Sequence, residues 1–415
     1  MTEPRRLPLT PKQRVFLPLA AEARPQDLSA RPRVAVWELT LRCDLSCAHC
    51  GSRAGKPRDR ELSTEECLRL VDELAALSVL EVSLIGGEAH LHPGFLPVLR
   101  ALKAHGIEVG LTTGGRRVDD ALARAMAAAG LDSVSVSIDG LREAHDTQRA
   151  LVGSFDAALT SVRAFRDASV FVSVNTQINR ISSNDLEALF ELIVERGARA
   201  WQIALTVPMG RAADRPDWLL QPSDLLDLFP RLAALKQRCD DARVRLWPGN
   251  NVGYFGPYEH VLRGQMPLGH AYSCGAGVTT LGIESDGTIK GCPSLPSEAW
   301  VGGNVREHSL KEIWERAPRL RYIRDRTAST LWGFCADCYY ADECRAGCTW
   351  TSFSFFGRAG NNPYCHHRAL ELAARNQRER LIRVEAPPGE PFDTGRFEVV
   401  LEPRSSANSP VEGLQ

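Results

Sequence analysis

The distribution of cysteines is the feature that most constrains this 415-residue chain. Ten of its twelve cysteines fall into two groups, one of three between residues 43 and 50 and one of seven between residues 274 and 365. Only Cys67 and Cys239 stand alone. A reducing compartment does not maintain structural disulfides, so clustered thiols there usually serve metals or catalysis. The sequence therefore predicts a metalloprotein with two thiol-rich regions.

Composition and charge narrow the class of protein. Apolar residues make up 44% of the chain and charged residues 24%, as in ordinary globular proteins. The net charge of −1 gives no basic surface for nucleic acid. No apolar run approaches the roughly 18 residues that span a bilayer, and Met1–Arg33 has no apolar core of a signal peptide. We expect a cytoplasmic protein with neither nucleic-acid nor membrane partners.

Strand-like and helix-like segments alternate from Val34 onward. Short apolar runs predict six strands, at residues 34–40, 79–85, 107–113, 131–138, 170–178 and 200–206. Helical spacing predicts a helix after the Ser63–Glu66 capping box and others at residues 93–104, 119–128, 155–166, 184–196 and 222–239. Such alternation implies right-handed parallel crossovers. It leaves open whether the α/β sheet is doubly wound or barrel-like.

Changes in composition divide the chain into five parts. We expect an N-terminal extension at 1–33, the α/β domain at 34–225 and a bridge at 226–272. A cysteine-rich domain at 273–370 has short segments, so metal should hold it more than a core does. Residues 371–383 are predicted to form a closing helix. Residues 386–415 are rich in Pro, Gly and Ser and are predicted to form a flexible tail.

Cys43, Cys47 and Cys50 have the spacing C-x3-C-x2-C directly after the first predicted strand. In parallel α/β folds the carboxyl ends of the strands carry the site. Three thiolates on one loop can ligate three irons of a [4Fe–4S] cluster and leave the fourth iron open. The alternatives are a zinc site, with His49 as a fourth ligand, or three buried structural cysteines.

The segment Trp37–Cys50, together with Gly86-Gly87-Glu88, resembles radical SAM enzymes that carry a C-terminal SPASM domain. The resemblance covers residues 33–375. It implies an α/β fold in which a partial (β/α)6 TIM-type barrel is followed by a small cysteine-rich SPASM domain. It also implies that the open iron binds S-adenosylmethionine, which an electron from the cluster cleaves to a 5′-deoxyadenosyl radical.

The resemblance assigns a first part of the cofactor site. Gly86, Gly87 and Glu88 match the family's Gly-Gly-Glu motif, which holds the amino group of S-adenosylmethionine. Glycines let a backbone approach a ligand closely, and a carboxylate accepts from an ammonium group. The family usually continues with proline, whereas Ala89 follows here.

A second part of the site follows the fourth and fifth strands. By resemblance, Ser137 and Asp139 lie near the ribose, and Arg149 pairs with the cofactor carboxylate. A guanidinium is a suitable fork donor for that group. The alternatives are an ordinary Asp-Gly turn and a surface charge on a helix. Asn175 and Gln177 interrupt an apolar strand and are further candidates to face the pocket.

The seven later cysteines match the SPASM spacing in full, as C-x12-G-x4-C, then C-x2-C-x5-C-x3-C, then C. The resemblance implies one auxiliary [4Fe–4S] cluster on Cys335, Cys338, Cys344 and Cys365, and another on Cys274, Cys292 and Cys348. The second set has three thiols, so its cluster can keep an open iron unless Cys67 or Cys239 lies near. Zinc remains the alternative for the run from Cys335 to Cys348.

Two auxiliary clusters suggest net oxidation, since a substrate radical must lose an electron to become a crosslink. The resemblance favours a ribosomally synthesised precursor peptide as substrate, with a C–C or thioether crosslink as product. Expected partners are a separate leader-peptide-binding protein and a reductant such as flavodoxin or ferredoxin. The alternatives are tailoring of a small molecule such as a haem precursor and, in another class, a zinc-stapled binding protein without catalysis. No motif assigns a general base.

Overall fold

A computed structural model describes residues 17–253, 255–264 and 274–404. Parts of the predicted N-terminal extension, bridge and tail lie outside these ranges. Twelve strands lie within them: β1 Val34–Thr40, β2 Glu81–Gly86, β3 Glu108–Thr113, β4 Ser133–Ser137, β5 Phe171–Ile178, β6 Ala200–Leu205, β7 Arg245–Pro248, β8 Thr280–Ile283, β9 Thr288–Lys290, β10 Val301–Asn304, β11 Gln377–Glu385 and β12 Arg396–Pro403.

Fifteen α-helices occupy the same described ranges. They are α1 Pro25–Ser29, α2 Thr64–Ala76, α3 Phe95–Ala104, α4 Asp120–Ala128, α5 Arg142–Arg149, α6 Ser154–Asp167, α7 Leu186–Glu195, α8 Leu225–Asp241, α9 Glu259–Leu262, α10 Ser297–Trp300, α11 Leu310–Arg316, α12 Tyr322–Asp325, α13 Ala341–Cys344, α14 Thr349–Phe356 and α15 His366–Ala374. None of these helices has the length and apolar character needed to cross a membrane.

Ten strands form one sheet in the order β10-β9-β8-β1-β2-β3-β4-β5-β6-β7. The pairings from β8 through β7 are parallel, and β9 and β10 add antiparallel pairings. The six predicted strands are confirmed with bounds shifted by two residues at most. Their carboxyl ends share one edge of the sheet, because parallel strands run in the same direction. The cysteine loop therefore leaves β1 beside the turn that follows β2.

Two pairings extend the sheet beyond the predicted α/β domain. Strand β7 lies in the predicted bridge and pairs with β6. Strand β8 lies in the predicted cysteine-rich domain and pairs with β1, where Val34 is opposite Thr280. Leu281 and Ile289 belong to the same continuous hydrophobic core as the barrel strands. The start of the cysteine-rich region is thus part of the main sheet.

The predicted closing helix at 371–383 is wrong beyond Ala374. Helix α15 ends at Ala374, and Asn376 has a positive φ of 55°, which a helix cannot continue through. Residues 377–385 form β11, which pairs antiparallel with β12. Part of the predicted flexible tail is therefore an ordered strand, and Phe397 on β12 is buried against Phe355 with ring centroids 5.3 Å apart.

Candidate active site

The cysteine triplet lies on a loop that leaves the carboxyl end of β1 and lines a cavity at that edge of the sheet. Its backbone is tied to neighbouring segments: Cys43 N–H donates to the Gly55 carbonyl (3.1 Å) and Ala48 N–H to the Gln148 carbonyl (2.8 Å). Burial raises the pKa of Cys43 to about 12, and the charges of Glu88 and of the other two thiols act in the same direction. The three thiols are thus close enough to influence one another.

The two glycines at the end of β2 are required by close contacts with the protein's own backbone. Gly86 has a φ of +148°, and a Cβ there would lie 2.1 Å from the Thr40 carbonyl oxygen. A Cβ on Gly87 would lie 2.2 Å from the carbonyl oxygen of Arg42, which accepts the Glu88 N–H at 2.8 Å. The glycines let this turn run directly against the backbone that enters the cysteine loop. The close approach that these glycines permit is therefore to backbone, where the sequence predicts close approach to a ligand.

Glu88 is held at the cavity wall by the end of β3. Its side chain is buried, with Oε2 accepting from the Thr113 hydroxyl (2.5 Å) and Oε1 from the Gly114 N–H (2.7 Å). His90 Nδ1 lies 3.4 Å from Oε2. Each carboxylate oxygen has a second lone pair. Glu88 can therefore still accept a hydrogen bond from an ammonium group in the cavity.

Arg149 is a buried side chain and not a surface charge. It is 8% exposed, at the carboxyl end of α5, and lines the cavity. One terminal nitrogen lies 2.5 Å from Asp139 Oδ2, and the other donates to Cys47 Sγ at 3.7 Å. The guanidinium is thereby fixed between a carboxylate and the cysteine loop. Its five N–H donors leave capacity for a further anion.

Asp139, which the resemblance places near the ribose, is not among the residues that line the cavity. It is fully buried, and its Oδ1 accepts the Gln177 N–H at 2.9 Å. Its Oδ2 faces Arg149 and lies 3.2 Å from His49 Nε2. Burial alone would raise the pKa of Asp139, but Arg149 and His49 outweigh it and hold that pKa well below its usual range. Asp139 therefore acts on the cavity through Arg149.

His49 is not placed as a fourth ligand for zinc. Its Nδ1 lies 3.2 Å from the Gln148 carbonyl oxygen and its Nε2 faces Asp139, so both ring nitrogens are engaged. Ligand atoms of Cys43, Asp44 and Glu88 do lie within 4.8 Å of one another. These are three ligands, whereas zinc in structural sites needs four. The geometry favours a cluster on the thiols over a zinc ion.

The cavity beside the triplet has a volume of about 520 Å³, which is in the range of small-molecule sites. Ser137, Asn175 and Gln177 line it, as expected from the sequence. Gln202 and Arg211 also line it and were missed. Gln202 is opposite Asn175 on β6, so a polar residue in an otherwise apolar strand could have identified it.

The seven later thiols separate into two groups. Burial and then the neighbouring Cys274 and Cys348 thiols raise the pKa of Cys292 to about 12. The second group lines a small separate cavity and consists of Cys335, Cys338, Cys344 and Cys365. Burial raises the pKa of Cys344, and the other three thiols of its group raise it further. This division coincides with the two ligand sets expected from the resemblance.

The two remaining cysteines are core residues. Cys67 on α2 and Cys239 on α8 are buried in the main hydrophobic core. Apart from burial, the nearby charges that affect the pKa of Cys67 belong to Glu66 and other charged side chains. Neither cysteine is among the neighbours that shift the pKa of Cys292. The group of Cys274, Cys292 and Cys348 therefore gains no fourth thiol from them.

Backbone N–H groups point at the sulfur atoms in each thiol group. Leu45 N–H donates to Cys43 Sγ, Ala276 N–H to Cys274 Sγ and Tyr340 N–H to Cys338 Sγ, each at 3.4 Å. Such bonds are a known control of iron–sulfur reduction potentials. The three thiols of the first triplet fit a [4Fe–4S] cluster, and the cavity beside them fits an adjoining small cofactor.

Solved structures share this architecture. The structure of Streptococcus suis SuiB bound to precursor peptide SuiA has a TM-score of 0.64, with 81% of this chain and 75% of that chain covered at 17% identity. The structure of anSMEcpe with bound AdoMet and the Cp18Cys peptide has a TM-score of 0.63, covering 83% and 99% at 20% identity. These likenesses show the fold, a partial α/β barrel with a cysteine-rich C-terminal domain.

Fold and site together define an iron–sulfur enzyme that binds S-adenosylmethionine. Residues 37–193 match the radical SAM superfamily, and residues 274–339 match the iron–sulfur cluster-binding SPASM domain. The AdoMet-dependent heme synthase of Methanosarcina barkeri is 30% identical, covering 81% of this chain and 97% of that protein. The mycofactocin maturase of Mycobacterium ulcerans is also 30% identical, covering 80% and 88%. The chain belongs to the radical SAM superfamily and carries a SPASM domain.

Proposed function

We propose that this radical SAM/SPASM enzyme modifies a ribosomally synthesised peptide by oxidative crosslinking. When bound, the cluster and S-adenosylmethionine supply a 5′-deoxyadenosyl radical that abstracts hydrogen from the substrate. Cys43, Cys47 and Cys50 would hold that cluster. Contacts to the cofactor would come from the turn Gly86-Gly87-Glu88, from Ser137 and from Arg149. Asp139 would position Arg149.

The observation that carries the peptide proposal is a set of three carboxamides in the cavity wall. Asn175 and Gln177 lie on β5, and Gln202 lies opposite Asn175 on the neighbouring strand. No hydrogen bond joins their side-chain amides to another residue within the described ranges, so they are available to a ligand. A carboxamide donates and accepts, which matches the paired N–H and C=O groups of a peptide backbone.

The comparisons support both a peptide and a haem precursor as substrate classes. The maturase relatives and the solved structures with bound peptides support the first. The heme synthase relative, matched over nearly its whole length, supports a haem precursor as the second candidate. The paired donors and acceptors of the three carboxamides favour the peptide, because a peptide backbone offers both N–H and C=O groups, whereas the ionised carboxylates of a haem precursor only accept hydrogen bonds.

The SPASM domain would hold two auxiliary [4Fe–4S] clusters that accept the electron lost by the substrate. Cys335, Cys338, Cys344 and Cys365 would complete one of them. Cys274, Cys292 and Cys348 would hold the other, with one iron left to water, substrate or another residue. A flavodoxin or ferredoxin would supply electrons, and a separate protein would bind the leader of the precursor peptide.

The test is anaerobic reconstitution, with iron and sulfide measured, followed by S-adenosylmethionine and dithionite. About twelve irons per chain are expected for three four-iron clusters. Release of 5′-deoxyadenosine should be lost when Cys43, Cys47 and Cys50 are replaced by Ala, while Cys67→Ala serves as the matched control and keeps it. Precursor peptides encoded beside the gene and iron coproporphyrin III are then compared. The peptide proposal would be refuted if only the porphyrin stimulated 5′-deoxyadenosine release and only the porphyrin were converted to a product.

A further inference from the structure

A second cavity, of about 380 Å³, lies between the SPASM domain and the loop that joins β11 to β12. We call residues 388–394 of that loop the C-terminal loop. Pro296, Glu298 and Phe353 lie on the SPASM side, and Glu390 and Phe392 lie on the C-terminal loop. This cavity is distinct from the one at the cysteine triplet.

The C-terminal loop forms one wall of the second cavity and is held in place by hydrogen bonds. Asp393 accepts the Gly389 and Glu390 N–H groups on one carboxylate oxygen, at 2.6 and 3.0 Å, and the Arg53 Nε on the other at 2.8 Å. The Phe392 N–H donates to the carbonyl of Gly51, the residue after the cysteine triplet, at 3.2 Å. The loop is thereby fastened to the segment that follows the last thiol of the triplet.

Phe392 is held in a left-handed conformation, with φ at +59°. This is unusual for a bulky residue and persists only where surrounding contacts impose it. The Lys290 ammonium lies 4.5 Å from its ring centroid and the Arg58 guanidinium 5.6 Å from it. The Phe392 ring is therefore held in one position in the lining of the second cavity, and this part of the lining is formed without a ligand.

The charges that the cavity offers to a ligand are negative. Its cation, Arg58, is already paired with Glu38 at 2.9 Å, and the Asp393 carboxylate with Arg53 at 2.8 Å. Glu298 and Glu390 are exposed at the rim, and no ion pair engages either one within the described ranges. The lining also includes three prolines and two phenylalanines, against which an aliphatic stem can pack.

The partition between the two cavities is a short segment after Cys292. Ser294 lines the cavity at the cysteine triplet, and Pro296 and Ser297 line the second cavity. The buried Lys290 ammonium donates to the Leu295 carbonyl at 2.7 Å and fixes this segment. Residues two positions apart on this segment therefore face the two cavities.

We propose that the second cavity is a specificity subsite for a basic side chain, Arg or Lys, of the substrate peptide. The proposal rests on the peptide function above and assigns the substrate a basic residue near the site of modification. The two rim carboxylates would attract the cationic end, and the proline and phenylalanine walls would pack along its stem. The same carboxylates would repel a polycarboxylate porphyrin.

The experiment uses reconstituted holoenzyme saturated with S-adenosylmethionine, so that the first cavity is filled. The probes are acetyl-Gly-Arg-Gly-amide and its isosteric twin with neutral citrulline, and binding is measured by saturation-transfer NMR. The double variant Glu298→Gln/Glu390→Gln removes both rim charges. Glu398→Gln, an exposed carboxylate on β12, is the matched control.

We expect the arginine probe to bind about fivefold more tightly than the citrulline probe, the size of a favourable surface charge interaction. The double variant should abolish that ratio, and the control should retain it. Equal affinities in the wild type, or a ratio unchanged in the double variant, would overturn the subsite. If precursor peptides still stimulate 5′-deoxyadenosine release, that failure leaves the peptide function standing; if they do not, the function itself has failed.

Discussion

Replacing Asp139 by Asn removes the counter-charge of a buried guanidinium with almost no change of shape. The Asn side chain keeps an oxygen for the Gln177 N–H, and its NH₂ can donate to His49 Nε2, since His49 Nδ1 faces the Gln148 carbonyl. What is lost is the charge partner 2.5 Å from Arg149. The perturbation therefore removes the one carboxylate charge that Arg149 and His49 share, and keeps the shape of the side chain.

The expected magnitude follows from burial. Asp139 is fully buried and Arg149 is 8% exposed, so water can replace little of the lost interaction. Removing one partner of a buried pair costs roughly 3–5 kcal/mol, because the other charge is left without compensation. We expect that loss in the free energy of unfolding of the apo protein. We also expect weaker binding of S-adenosylmethionine, since Arg149 loses the group that orients it.

The assay is guanidinium unfolding of the reduced apo protein under anaerobic conditions, followed by circular dichroism. The matched control is Asp156→Asn, whose partner Arg142 lies on the same helix as Arg149 but in solvent. No measurable change is expected there. A loss below about 1 kcal/mol for Asp139→Asn, which is the range of surface pairs, would refute the argument that this pair is shielded from water.

Gly87→Ala places a methyl group 2.2 Å from a backbone carbonyl, so we expect a loss of roughly 1–3 kcal/mol and lower iron content after reconstitution. Glu379→Gln leaves the buried Arg368 without its carboxylate partner, since an amide can accept only one of the two hydrogen bonds that Glu379 accepts at 2.6 Å, and urea unfolding should show a loss of about 3–5 kcal/mol. Burial lowers the pKa of His145 from 6.5 to about 4. The unfolded chain therefore takes up a proton first as pH falls, and stability should decrease from pH 6.5 to 4 by up to about 1.4 kcal/mol per unit; His145→Asn should remove that part.

The first two of these predictions have matched controls. A Cβ on Gly55 meets nothing within 4 Å, so Gly55→Ala should keep its iron. Glu402→Gln affects the pairs with Arg378 and Arg380, which lie at the surface, and should leave unfolding unchanged. Iron retention in Gly87→Ala, an unchanged midpoint in Glu379→Gln, or an identical acid profile for the His145 variant would contradict the corresponding reasoning.

The barrel strands and the grouping of thiols could be predicted because their signals are local. Strand β5 is a short apolar run, and the spacing of Cys335, Cys338 and Cys344 is read directly from the chain. Strands β11 and β12 could not be predicted in this way. Their pairing joins residues that are about twenty positions apart in the sequence, such as Leu381 and Val399. The charged residues of β11 also resemble the exposed face of a helix. The support of Arg149 by Asp139 likewise depends on tertiary contact.

A buried charge network determines how the SPASM domain meets the cysteine loop. Glu38 on β1 pairs with Arg58 at 2.9 Å, Arg58 also approaches Glu284, and Glu284 pairs with Lys290 at 2.8 Å. Two carboxylates and two cations thus balance in the interior. Glu284 follows β8 directly, and Lys290 ends β9, two residues before Cys292.

This network also specifies the register between β1 and β8. A slip of one residue would turn side chains to the opposite face of the sheet and leave buried charges without partners, at a cost of several kcal/mol. The observed register, with Trp37 opposite Ile283, is therefore favoured over its neighbours by charge as well as by packing. Cys292 lies two residues after β9, so this register also sets the position of its thiol relative to the cysteine triplet. The protein therefore determines that position before any cluster binds.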